Sequence, residues 1–291
     1  MISITLASNA IHLEAARRLR DGLSLRRGGL ELLLWEPERF VLTPADRRRW
    51  PLRLPARPWS YGLLAPWALL GLVGNLRLAH RRGAGQGLRL LLARARRLTL
   101  LDDGLDQYRA QPKALDPLAF PAGLDCWLFS DAPDWRAPWC QRFRCRELGP
   151  LYPPGGPDPA DDPADDPRTP RGTLILEAPG LERLGETDGA FPRPWCLVPH
   201  PVAAKRSWRL PLRAGDRRRP GAPEALLPRW HGTVVVGESL LLLAALRLRP
   251  PDTRLVVALP PTADAHLRAR VAEAAAREPL VSLVGAGRAG S

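Results

Sequence analysis

Three short stretches carry side chains suited to moving a group from one oxygen to another. Asp102-Asp103-Gly104 places two carboxylates on a glycine turn directly after the apolar run Leu98-Thr99-Leu100-Leu101. A carboxylate so placed can take a proton from a hydroxyl, and a neighbouring carboxylate or partial burial raises the proton affinity of such a group. Asp103 is the preferred base, with Asp102 orienting it or exchanging roles with it. Acids chosen only for hydrogen bonding inside a turn would read the same way. His200 lies between Pro199 and Pro201, whose rings restrict the backbone around it. Imidazole titrates near neutrality, so a protonated His200 can bind a departing phosphate or give it a proton. Gly237-Glu238-Ser239 leads into an apolar helical run, where a hydroxyl and the free amides of a helix start form an anion site. Simple N-capping is the alternative for Ser239.

Each stretch follows a strand-like run, and ligands of open α/β sheets bind outside the carboxyl ends of the strands. The elements that position them alternate strand and helix. Residues 2–6 alternate apolar and polar, stop at Ala7-Ser8-Asn9, and are followed by apolar residues at helical spacing over 11–23 and a second strand over 30–35. That β-α-β order starts a parallel sheet. It puts Ser8, Asn9 and His12 at the crevice end of the first strand, where an acceptor can be contacted; capping and solvation are the alternative. A basic helix over 88–97 feeds the strand 98–101, residues 107–119 begin as helix, and 126–129 and 142–148 read as short strands. In the second half, strands are expected at 173–176, 196–198, 232–237 and 255–259, with helices over 239–248 and 263–277.

Two stretches fit neither pattern. Residues 39–58, rich in arginine, proline and tryptophan, read as a long loop with short elements. Residues 61–76 carry no charge and read as a buried helix, too short to span a bilayer. Contact with a membrane surface is the second reading, because Arg77, His80, Arg81 and Arg82 follow directly.

The chain has 291 residues and a formal charge of +13, carried by arginine except for Lys113 and Lys205. Basic charge alone suits nucleic acid, but no helix-turn-helix, zinc-finger or aromatic RNA-binding pattern accompanies it, so nucleic acid is not the expected partner. Cys126, Cys140, Cys145 and Cys196 form no CxxC pair, and the opening Met1-Ile2-Ser3-Ile4-Thr5-Leu6 reads as a strand rather than a leader. Reduced thiols in a cytoplasmic protein are therefore expected, peripheral at the inner membrane under the surface-contact reading of 61–76. Residues 151–172 are dense in proline and aspartate and read as a linker between domains at 1–150 and 173–291. The aspartates of 161–166 read as solvated loop, not as a metal site.

Taken in order, Asp102-Asp103-Gly104, His200-Pro201 and Ser239 resemble the motifs of bacterial sialyltransferases and polysialyltransferases over about residues 98–246. The resemblance implies an α/β, GT-B-like fold: two Rossmann-type domains with a cleft between them, the first facing the acceptor and the second holding the nucleotide sugar. It implies transfer of sialic acid or a related ulosonic acid from a CMP-activated donor to a saccharide, with inversion and with no metal or cofactor. Asp103 would then be the general base, His200 and Pro201 would contact the CMP phosphate, and Ser239 with Gly237 would complete the phosphate site. Pro179 and Gly180 would line the nucleotide pocket, and Lys205 or Arg206 would assist the phosphate. The sequence departs from the motif at Glu238, where the family usually has a second serine.

Overall fold

A computed structural model describes residues 1–22, 30–79, 85–104, 123–152, 172–178, 181, 191–199, 212–219 and 223–285. The chain divides into two compact units, Met1–Gly149 and Pro150–Ser291. Each is an α/β unit built on its own parallel sheet. The expected helix at 107–119 and most of the proline-rich segment lie outside the described residues.

The first unit runs β1 (Ile2–Ala7), α1 (Ala10–Gly22), β2 (Leu30–Trp35), α2 (Pro44–Arg49), β3 (Leu52–Pro55), α3 (Pro58–Leu69), β4 (Val73–Leu78), α4 (Gln86–Arg94), β5 (Arg97–Leu101), β6 (Asp125–Leu128), α5 (Ala137–Cys140) and β7 (Arg144–Glu147). Its strands lie in the order β3-β2-β1-β4-β5-β6-β7, and every neighbouring pair is parallel. The chain starts at β1, steps to one edge, then returns to the other side of β1 with β4. The strand order reverses between β1 and β4, the position at which such sheets open a crevice. Ile4, Leu33, Leu34, Leu76, Leu78 and Leu100 are fully buried, as expected of strands covered on both faces.

The residues read as a long loop hold α2 and β3. Thr43 caps α2: its hydroxyl oxygen accepts the Asp46 amide while the Asp46 carboxylate accepts the Thr43 amide. Arg17 of α1 then grips that carboxylate with two bonds of 2.7 Å, one to each oxygen. Burial pushes the Asp46 carboxyl up, but the bonds from Arg17 and Thr43 outweigh it and hold the pKa at about 2. The uncharged run over 61–76 does not form one buried helix. It ends α3, turns through Gly71 at φ 65°, and continues as β4. The reason lies in Val73-Gly74-Asn75-Leu76-Arg77-Leu78, whose branched and alternating residues complete the sheet beside β1. Arg77 is likewise turned inward, 3.0 Å from Glu31 on β2. His80, Arg81 and Arg82 lie outside the described residues.

One further expectation is corrected. Cys140, at the end of α5, and Cys145, on β7, are joined as a disulfide with Cα atoms 5.4 Å apart, while Cys126 and Cys196 are buried free thiols. The turn between α5 and β7 brings the two residues back on each other, which spacing alone does not show.

The second unit contains β8 (Thr173–Leu176), β9 (Trp195–Val198), β10 (Arg217–Arg218), α6 (Pro223–Leu226), β11 (Thr233–Val236), α7 (Leu241–Leu248), β12 (Arg254–Leu259), α8 (Ala265–Arg277) and β13 (Val281–Gly285). The order is β10-β9-β8-β11-β12-β13, again all parallel. Here too the first strand is central and the order reverses beside it, between β8 and β11. Among the described residues no helix is long and apolar enough to cross a membrane.

Candidate functional site

The first unit gathers its reactive groups where β1 and β5 end. Asn9 follows β1 and caps α1, its side-chain oxygen accepting the backbone amide of His12 at 2.8 Å. This fixes His12 on the first turn of the helix. The Ser8 amide donates to Nδ1 of His12 at 3.2 Å. With Nδ1 serving as acceptor, the neutral imidazole carries its hydrogen on Nε2. Nε2 lies 2.6 Å from Oδ1 of Asp103, so His12 donates to that carboxylate. Asn9 frames the pair, its amide nitrogen 3.1 Å from Nε2. The imidazole is buried and the Asp103 side chain keeps about a tenth of its surface open.

Asp102 and Asp103 are adjacent and do different work. Asp102 is buried, and both its oxygens are occupied: Oδ1 accepts the Gly104 amide at 2.7 Å and Oδ2 accepts the Phe129 amide at 2.9 Å. It closes the turn after β5 and ties it to the end of β6. Gly104, at φ 81°, supplies the left-handed backbone that this closure requires. Burial pushes the Asp102 carboxyl up to about 7, although the two amides and the positive charge of Arg136 pull the other way. Asp103 is thereby left to face His12, and its second oxygen carries no hydrogen bond to any described residue.

Phe129 locks helix and turn together. Its amide holds Asp102, and the Arg18 guanidinium of α1 lies over its ring at 5.1 Å from the centroid. Arg18 also donates to the Leu148 carbonyl at 3.3 Å. The separation of His12 and Asp103 is thus set by α1 docking on the ends of β6 and β7. Sequence reading placed both residues at strand exits and did not pair them, since 91 positions separate them. The available signal was the cap: with Asn9 opening α1, His12 falls on the first turn of the helix, next to the strand exits.

Beside this exit, Trp35 ends β2 in register with Ala7 of β1. It walls a cavity of about 280 Å³ together with Phe40, Leu42, Arg47 and Arg53. Aromatic faces with arginines among them suit a sugar or another flat polar acceptor.

In the second unit, β11 delivers Gly237-Glu238-Ser239. The Ser239 hydroxyl oxygen accepts the Leu241 amide at 3.2 Å, and the Ser239 carbonyl accepts the Leu242 amide at 3.0 Å. Ser239 therefore caps α7, and its hydroxyl hydrogen remains the group it can offer a ligand. Gly237 is buried and Glu238 half-buried. His200, Pro201, Pro179, Gly180, Lys205 and Arg206 lie outside the described residues. Of the residues singled out in the sequence, the structure brings together Ser8, Asn9, His12, Asp102 and Asp103.

No protein-family model matches the chain, and no curated protein matches it. Among solved structures the chain is similar to the calicheamicin glycosyltransferase CalG4, with a TM-score of 0.45 and 13% identity over 98% of this chain and 85% of that one. It is also similar to the spinosyn rhamnosyltransferase SpnG, with a TM-score of 0.40 and 15% identity over 95% and 85% of the two chains.

Proposed function

We propose that the protein is a GT-B-type glycosyltransferase that moves a sugar from a nucleotide donor to an acceptor hydroxyl, with Asp103 taking the acceptor proton. The observation that carries this is the 2.6 Å contact between Asp103 and His12. Both nitrogens of His12 are engaged, one by the Ser8 amide and one by Asp103, so the imidazole has no lone pair to offer a substrate. Among the described residues, nothing bonds to the second oxygen of Asp103. Acceptor oxygen would attack the anomeric carbon, its proton passing to the second oxygen of Asp103 as the bond to phosphate breaks and the nucleotide leaves. Displacement of this kind inverts the anomeric centre. His12 is then a positioning residue, aiming the carboxylate and holding it through turnover.

The second unit would take the nucleotide. Its reversal point between β8 and β11 ends in Ser239 and the first amides of α7, groups suited to phosphate. The CMP-sialic acid donor, the metal-independent route and the roles of His200 and Pro201 rest on the motif resemblance. Glu238 favours a second reading, a catalytically silent GT-B-like basic binding protein, because a carboxylate in place of the second serine opposes a phosphate at that point; a different nucleotide sugar would keep the architecture and change only the base pocket.

The test is nucleotide release from CMP-sialic acid and from UDP-, dTDP- and GDP-hexoses, with and without saccharide acceptors. Acceptor-stimulated release from one donor, lost in Asp103→Asn, supports the reading. Equal inertness of wild type and variant toward every donor counts against it.

A further inference from the structure

Helix α3 buries less of itself than its composition demands. Ser60, Leu64 and Ala68 form the buried stripe, one residue every fourth position. One step around the helix, Trp59, Leu63 and Trp67 repeat the same spacing on the outside and Leu70 follows at the C-cap, all between 40% and 73% exposed. Leu69, the last residue of α3, and Leu72 beyond it are exposed as well. An outer helix face is normally polar. This one presents two tryptophans and four leucines to solvent.

The stretch of chain that holds it carries charge of one sign. Every charged residue between Arg47 and Leu101 is an arginine. Arg57 stands at the N-cap of α3, where it pairs with Glu38 at 2.7 Å, and Arg96 donates to the Gly71 carbonyl just beyond the C-terminal end of the helix. Helix α4 packs alongside so closely that a Cβ on Gly87 would come 2.4 Å from that of Tyr61, and it carries the exposed Arg89 and Arg94, with Arg97 following. Among the described residues Arg89, Arg94, Arg96 and Arg97 meet no carboxylate. An apolar stripe rich in tryptophan, next to a helix whose exposed guanidinium groups meet no carboxylate among the described residues, matches the boundary of an anionic bilayer: indole rings settle at headgroup level, leucines enter the acyl region, and guanidinium groups pair with lipid phosphates.

We infer that the outer face of α3 is a peripheral membrane-binding surface, with the helix lying in the plane of an anionic leaflet. A second copy of the chain fits less well. A two-fold contact through this face would set the same arginines against their own copies. Arg77, named in the sequence beside this stretch, takes no part, since it is buried against Glu31.

Co-sedimentation of the full-length protein with large vesicles of phosphatidylglycerol and phosphatidylcholine, against pure phosphatidylcholine, tests this. Binding should depend on the anionic lipid and weaken with salt. It should fall at least tenfold in Trp59→Ser/Trp67→Ser, and also in Arg89→Glu/Arg94→Glu, a charge change on exposed positions that leaves the α3 surface intact; circular dichroism checks both folds. Unchanged binding in both variants overturns the proposal, as does equal binding to both vesicles or none to either. A wild-type dimer in analytical ultracentrifugation that the tryptophan variant dissolves would also overturn it, assigning the face to self-association.

Discussion

The two units share one plan and use it differently. In each, the first strand is central, the strand order reverses beside it, and reactive residues follow a strand that ends near the reversal. In the first unit those residues face each other: a capped helix start delivers an imidazole to within 2.6 Å of a carboxylate contributed 91 residues later. In the second, Ser239 spends its oxygen on the helix it begins. A parallel sheet supplies a place for chemistry, and the few residues past each strand decide whether that place performs chemistry or only caps a helix.

Four substitutions sharpen this contrast. Asp103→Asn should lower acceptor-dependent turnover by about 10² to 10⁴, the usual contribution of a general base, with little change in thermal midpoint. A loss confined to KM would move Asp103 from proton transfer to binding. Asp102→Asn should instead change stability with pH. The Asp102 pKa is raised in the fold to about 7, so the stability tied to its protonated form is complete below about pH 4 and is lost as pH rises toward 7. Relative to the variant, the wild type should therefore lose up to about 4 kcal/mol across that window, read from denaturant midpoints. A flat difference would show that the two amides compensate the buried charge fully.

His12→Gln should slow turnover by about 10- to 100-fold through kcat and leave nucleotide affinity unchanged. An effect on KM alone would mark His12 as an acceptor contact. The smallest change is expected in the second unit, where Ser239→Ala should cost about 1 kcal/mol of stability through the lost cap. If it also weakens nucleotide binding several-fold by calorimetry, the hydroxyl serves both helix and ligand, and the contrast between the units narrows.

Much of the scaffold is readable from residue pattern. Leu30-Glu31-Leu32-Leu33-Leu34-Trp35 occupies β2 with the boundaries its apolar run suggests, and Val234 to Val236 is fully buried as a central parallel strand should be. Failures have local causes. The run over 61–76 is uncharged throughout and nearly all apolar, so periodicity cannot show that a helix stops at Leu69 and a strand starts at Val73. The reading of 39–58 as a long loop with short elements missed how one carboxylate, Asp46, both completes the capping box that Thr43 opens on α2 and receives Arg17. At the site, the types and the strand-exit positions of Asp102, Asp103 and His12 were legible. Their division of labour was not: which of two adjacent aspartates turns inward depends on the Phe129 amide, 27 positions away and just past the end of β6.

The central claim, that Asp103 and His12 act as one device, is tested most directly by a double-mutant cycle on acceptor-dependent nucleotide release, using Asp103→Asn, His12→Gln and the two combined. The account predicts strong non-additivity, with the double variant no slower than Asp103→Asn alone, because a positioning histidine has nothing left to aim. Losses that multiply, each variant contributing its full factor, would show that the two residues work independently and would contradict it.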